Sequence, residues 1–145
     1  MRWMSPELLA LDHSRLKNNR PTKQSDCYAF GMVIYEVLSG RASFSRFNHY
    51  IVIRKVVDGE RPERPKGVEG VWFTNDLWRT LGQCWAPQPE SRPSVAAVLE
   101  CLERVSRDPD SPSLQLDEMD GDDSDPGGAS SNPRCFSTFL RRILC

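Results

Sequence analysis

The chain has 145 residues, 39% of them hydrophobic, with 19 Lys and Arg against 20 Asp and Glu and a formal net charge of -1. That length gives room for one ordinary domain, and that balance excludes a globally basic nucleic-acid binder and a bulk acidic protein. The average hides a split: residues 1–107 carry 16 basic and 12 acidic side chains, net +4, whereas residues 108–145 carry 3 and 8, net -5. Residues 1–107 form the globular part, and a tail of different character follows.

The longest apolar runs, 32–35 and 50–53, are far short of the ~20 residues a membrane span needs, and the N-terminus has no sustained apolar stretch of the kind a secretory signal carries. A cytoplasmic location is expected. Cys27, Cys84, Cys101, Cys135 and Cys145 are odd in number and lack metal-site spacing, so neither a disulfide framework nor a zinc site is expected. His13 and His49 stand alone and are taken as ordinary side chains.

In chain order, Ser5-Pro6-Glu7 predicts a short helix ending near Leu11, with Ser5 as cap, Pro6 in the first turn and Glu7 at the positive helix end. Residues 12–23 are polar and predict a loop. Ser25 opens a helix over Asp26 to Ser39, closed by Gly40. Its apolar residues point in nearly every direction, which predicts a helix in the middle of a domain. Gly31 inside it costs something like 1 kcal/mol against Ala and is best explained by close packing of another element. Asn48 to Asp58 is a third helix, ended by Gly59. Residues 60–70 predict an extended, proline-stiffened loop. Thr74 caps a fourth helix to about Cys84, with Leu77, Trp78, Leu81 and Trp85 on one face. Residues 86–94 are a loop, and Ser94 caps a fifth helix, Val95 to about Val105. There is no alternating strand pattern. The globular part is all-α, with about five helices.

Residues 108–132 are acidic, rich in Pro, Gly and Ser, and predict a disordered linker, because they bury too little apolar surface to offset ordering entropy. Residues 133–145 predict a short amphipathic basic helix, with Phe136, Phe139, Leu140, Ile143 and Leu144 on one stripe. It can lie on a membrane surface with Cys135 or Cys145 acylated, dock on the globular part, or stay disordered.

Three segments in order carry a family resemblance. Arg2-Trp3-Met4-Ser5-Pro6-Glu7 resembles the end of a protein-kinase activation segment, with Ser5 where the family has Ala. Ser25-Asp26-Cys27-Tyr28-Ala29-Phe30-Gly31 resembles the start of the central helix of the kinase large lobe. Cys84-Trp85-Ala86-Pro87, with Pro89-Glu90-Ser91-Arg92-Pro93-Ser94, resembles the segment before the last lobe helix. The form with Trp is typical of tyrosine kinases and the tyrosine-kinase-like group. The resemblance covers about residues 2–105 and makes residues 1–107 a partial kinase domain, the C-terminal part of the large lobe.

The resemblance implies a buried ion pair between Glu7 and Arg92, and a role for Asp26 in accepting hydrogen bonds from the catalytic-loop backbone. It implies that Trp3, Met4 and Ser5 shape the pocket for the substrate residue after the phosphoacceptor. The Gly-rich loop, the strand Lys, the catalytic-loop Asp and Asn, and the metal-binding Asp-Phe-Gly of the family do not occur in these residues. No catalytic, cofactor-binding or metal-binding residue is therefore assigned; ATP and Mg²⁺ are expected only in a complete parent, which phosphorylates protein Ser/Thr, or Tyr. The chain by itself is expected to be inactive. It is either a fragment of a longer kinase, Met1 falling inside a functional segment, or a remnant serving as a non-catalytic interaction module. The expected partners are a protein substrate or the kinase's N-terminal part, and no nucleic acid.

Overall fold

The computed structural model describes residues 1–10 and 20–107, apart from the side chains of Val68 and Glu69. Five α-helices stand among these residues, and no strand: α1 Pro6–Leu9, α2 Lys23–Ser39, α3 His49–Val57, α4 Asn75–Cys84 and α5 Val95–Arg107, with short 3₁₀ turns at Gly67–Gly70 and Pro89–Ser91. This is the all-α architecture expected. Residues 108–132 and 133–145, with the linker and amphipathic-helix expectations, lie outside the described residues, as does His13.

The helix starts follow local hydrogen-bond chemistry. Asn48 caps α3 by accepting from the Ile51 N–H at 3.0 Å, and Thr74 caps α4 by accepting from the Leu77 N–H at 3.2 Å. Ser94 Oγ accepts from the Ala97 N–H at 3.2 Å at the start of α5, which runs two residues past the expected Val105, to Arg107. Each side chain satisfies an N–H that the helix leaves orphaned.

Two starts differ from expectation. α2 begins at Lys23, not Asp26. Thr22 is the cap, its hydroxyl accepting from the Ser25 N–H while Ser25 Oγ accepts from the Thr22 N–H. Ser25 is thus the third helical residue, a reciprocal partner of the cap; a Ser here does what Glu or Gln does in the usual motif. At α1, Ser5 occupies the cap position but makes no capping bond, and the helix ends at Leu9 rather than near Leu11.

α2 is the spine. It packs on α4, α4 packs on α5, and α1 lies against α3. Tyr28, Met32, Val52, Val56, Phe73, Leu77, Leu81, Cys84 and Val98 are almost wholly buried in the core between them, each contributing about 1.5–3 kcal/mol where the side chain is large. Four rings close a circuit: Tyr35 to Phe73 at 5.6 Å, Phe73 to Trp78 at 5.8 Å, Trp78 to Trp85 at 5.8 Å and Trp85 to Tyr35 at 6.2 Å between centroids. The tilted and edge-on geometries are those aromatic quadrupoles prefer. Cys27, Cys84 and Cys101 are free, buried thiols. Burial pushes all three thiols up, which keeps them protonated.

α2 is not covered on every side. Val33 is 39% exposed and Phe30 and Val37 are half-buried, on the same face as the exposed Asp26. The opposite face is tightly packed at Gly31, where an added Cβ would stand 2.9 Å from both Cys84 Cβ and Trp85 Nε1. This is the close approach the glycine suggested. Helix propensity favours Gly31→Ala by about 1 kcal/mol, whereas overpacking against atoms that cannot swing aside costs about 1–3 kcal/mol. Cys84 Cβ is tied to the backbone of α4, so the clash wins. Gly31→Ala should lower the urea midpoint; a raised midpoint would show that the α2–α4 contact is looser than described.

Candidate functional site

The segment at 2–7, the start of α2 and the loop between α4 and α5 converge on one side chain, Arg92. The 3₁₀ turn Pro89–Ser91 delivers it, and Pro93 holds Arg92 in extended backbone because the residue before a proline is driven from the helical region. Arg92 Nη1 and Nη2 donate to Glu7 Oε1 and Oε2 at 2.7 and 2.9 Å. Nη1 also donates to the Gln24 carbonyl at 3.0 Å and Nε to the Ala86 carbonyl at 3.0 Å. The Arg92 side chain is 0% exposed and that of Glu7 is 32% exposed. A planar guanidinium meeting a carboxylate edge to edge gives the bidentate, charge-assisted geometry at its strongest.

Burial pushes the Glu7 carboxyl up, but the hydrogen bonds from Arg92 and from the Glu7 backbone, with the charge of Arg92, together outweigh it, so the group sits below its ordinary value. The Ser5 hydroxyl, buried and without a hydrogen-bond partner of good geometry, is close enough to add to that lowering. A carboxyl depressed in the folded state gives stability that is fully present above the unfolded value and is lost as pH falls through the folded one. Urea midpoints should therefore hold between pH 7 and about pH 5 and fall below about pH 4. Asp76, lowered chiefly by its hydrogen bond from Arg104, contributes to the same fall. The part belonging to Glu7 is the difference between the chain and Glu7→Gln, which should narrow as the pH drops; a difference constant down to pH 2 would contradict it.

Tyr28 lies against the pair, with the Arg92 guanidinium 5.2 Å and the Arg61 guanidinium 5.4 Å from its ring centroid. Burial pushes its phenol up to about 12, against the pull of the two cations. Arg61 Nε donates to the Trp85 carbonyl at 2.9 Å and Nη1 to the Val56 carbonyl at 3.1 Å. The Tyr28 ring thus joins α2, the end of α3 and the α4–α5 loop.

The segment at 2–5 is anchored from the other side. Arg2 donates to the carbonyls of Ser43, Phe44 and Phe47 at 3.2, 2.5 and 2.8 Å. Trp3 Nε1 donates to Glu36 Oε2 at 2.6 Å, and its ring is 40% exposed. Met4 is half-buried against the core and Ser5 wholly buried. Trp3 is therefore exposed and fixed to α2, Met4 turns to the core, and Asp26 lies exposed in the first turn of α2. His49, at the start of α3, is exposed.

Arg2, Arg61 and Arg64 were not singled out from the sequence. Arg64 donates to Asn75 Oδ1 at 2.8 Å and to the Phe73 carbonyl, clasping the 60–66 segment to the start of α4. The Arg-Pro pairs at 61–62 and 64–65 are the one signal that could have marked it, since proline stiffening fixes where the neighbouring arginine can reach. Among the described residues no three His, Cys, Asp or Glu side chains group as a metal site needs.

The sequence profile of a family described as protein tyrosine and serine/threonine kinase matches residues 1–102. The chain belongs to that family. The serine/threonine-protein kinase VIK of Arabidopsis thaliana is 33% identical to it over 105 residues, 72% of this chain and 21% of the relative. The serine/threonine-protein kinase mos of Patiria pectinifera is 31% identical over 107 residues, 73% of this chain and 27% of the relative. The human proto-oncogene tyrosine-protein kinase ROS is 32% identical over 104 residues, 71% of this chain and 4% of the relative. The chain thus spans about a quarter or less of the length of these kinases. The matching part is the helical stretch tied together by Arg92, and no helix among the described residues is long and apolar enough to cross a membrane.

Proposed function

We propose that residues 1–107 are the later part of a kinase large lobe, which docks substrate and supports the active site of a complete cytoplasmic parent. That parent transfers phosphate from ATP to protein Ser/Thr, or Tyr. Trp3, Met4 and Ser5 shape the pocket for the residue after the phosphoacceptor, and Asp26 supports the catalytic loop. ATP and Mg²⁺ are held by the parent's other segments, so this chain by itself transfers no phosphate. Its partners are the protein substrate and the kinase's N-terminal part.

The observation that carries this reading is the anchoring of the 2–7 segment at both ends, by Arg92 to Glu7 at 2.7 and 2.9 Å and by Arg2 to the 43–47 loop. A substrate platform has to be held this rigidly, because misplacement by about 1 Å can cost a hundredfold in rate. A second reading, a non-catalytic interaction module, is favoured by the apolar surface of α3 and its approach, where Tyr50 is 85%, Val57 43%, Ile51 42% and Phe47 38% exposed. Sequencing the transcript upstream of the Met1 codon separates the two. An in-frame segment encoding a catalytic loop and a metal-binding Asp supports the first reading; an in-frame stop with no such segment supports the second.

A further inference from the structure

We propose that an open basic groove, on the side of α2 that faces the 41–47 loop, is the docking site for this chain's own acidic segment, residues 117–125. The groove has a volume of about 540 Å³ and lies between the 41–47 loop, the end of α3 and the 60–66 segment. Arg41, Arg46, Lys55, Arg61, Arg64 and Lys66 line it, against two carboxylates, Glu60 and Glu63. Glu60 is already engaged by Lys55 at 2.7 Å. Arg61 and Arg64 donate to carbonyl and amide oxygens, which orient a guanidinium without cancelling its charge. Arg46 and Lys66 are exposed at the rim.

The lining is therefore net +4, the whole net charge of residues 1–107. Outside the groove that stretch is balanced, ten basic side chains against ten acidic. A local excess of one sign in a concave site attracts a ligand of the other. The matching ligand is in the same chain: Asp117, Glu118, Asp120, Asp122, Asp123 and Asp125 stand within nine residues, with no basic side chain anywhere in residues 108–132.

Residues 108–116 join the end of α5 to this segment and span up to about 30 Å when extended, comparable to twice the ~13 Å radius of gyration of a domain of this size. Such a tether sets an effective concentration of about millimolar, above that of an acidic peptide on another protein. This docking does not rest on the kinase reading.

Zero-length carbodiimide coupling of the full chain tests it, since it joins a lysine only to a carboxylate in contact with it. The Lys55–Glu60 pair supplies an internal measure of folding in every sample. The expected product is an amide between Lys66 and a carboxylate of residues 117–125, within one molecule when isotopically light and heavy chains are mixed. Its yield should fall about tenfold in 1 M salt, where the screening length is ~3 Å. It should fall again in Arg46→Glu and vanish when the six acidic residues are changed to amides. Lys55–Glu60 coupling without any Lys66 product overturns the proposal. So does equal coupling of the segment to Lys23 on the exposed start of α2, and so does a Lys66 product that joins light to heavy chains, which assigns the groove to a second copy.

Discussion

Glu7→Ala should lower the free energy of unfolding by about 3–5 kcal/mol, towards the lower end of that range because the Glu7 side chain keeps 32% of its exposure. The loss follows from what stays behind. Arg92, 0% exposed, is left as a buried cation with only the Gln24 and Ala86 carbonyls. Arg92→Ala strands less charge, since Glu7 can hydrate, but removes the contact with Tyr28 and orphans those carbonyls. The double variant should cost less than the two single variants added, with a coupling of about 1–3 kcal/mol. Replacing both by apolar residues of similar size, as in Glu7→Leu with Arg92→Met, should recover much of the loss, because a buried ion pair is expensive to break and cheap to replace. Urea unfolding of the four chains checks this; additive single effects would mean that the pair bears no shared load.

Trp85→Ala should cost about 3–5 kcal/mol, a large part of the ~5–15 kcal/mol that holds a domain of this size. Trp85 is 2% exposed and sits in the ring circuit with Tyr35 and Trp78 while closing against Gly31. Its indole N–H is buried without a hydrogen-bond partner. The side chain is therefore held by packing, and Trp85→Phe, which keeps an aromatic face and sheds the unsatisfied donor, should cost only about 1–2 kcal/mol. Its backbone carbonyl, the acceptor for Arg61, is unchanged in both variants. The two urea midpoints decide the matter: equal losses for Ala and Phe would show that the indole N–H, not the packing of the rings, holds the side chain.

The parts of this fold that local chemistry dictates were legible in the sequence. Thr74 and Ser94 cap the helices they were expected to cap, because an N-cap depends on one side chain and an N–H two or three residues on; Asn48, expected as the first residue of its helix, is its cap. Gly31 marked the α2–α4 contact because a helix tolerates glycine poorly without a packing reason. The start of α2 lies earlier than expected because its signal sits in Thr22 and Ser25, separated by the polar Lys23 and Gln24, which resemble loop. What lay out of reach was long-range. Glu7 and Arg92 are 85 residues apart, and only a family resemblance pairs them. The guanidinium-to-carbonyl bonds of Arg2, Arg61 and Arg64 depend on where whole segments come to rest, which no periodicity records. The apolar pattern that runs all round α2 points to a helix in the middle of a domain, whereas the face with Val33 is partly bare.

Phosphoryl transfer needs a phosphate-covering loop, metal-holding side chains and a base as well as a positioned substrate. Folded chain incubated with Mg²⁺, radiolabelled ATP and a mixed library of Ser, Thr and Tyr peptides should give no label transfer above the protein-free reaction, and no label on the chain itself. Transfer that scales with the amount of chain and survives repurification would contradict the assignment and place a complete active site within these 145 residues.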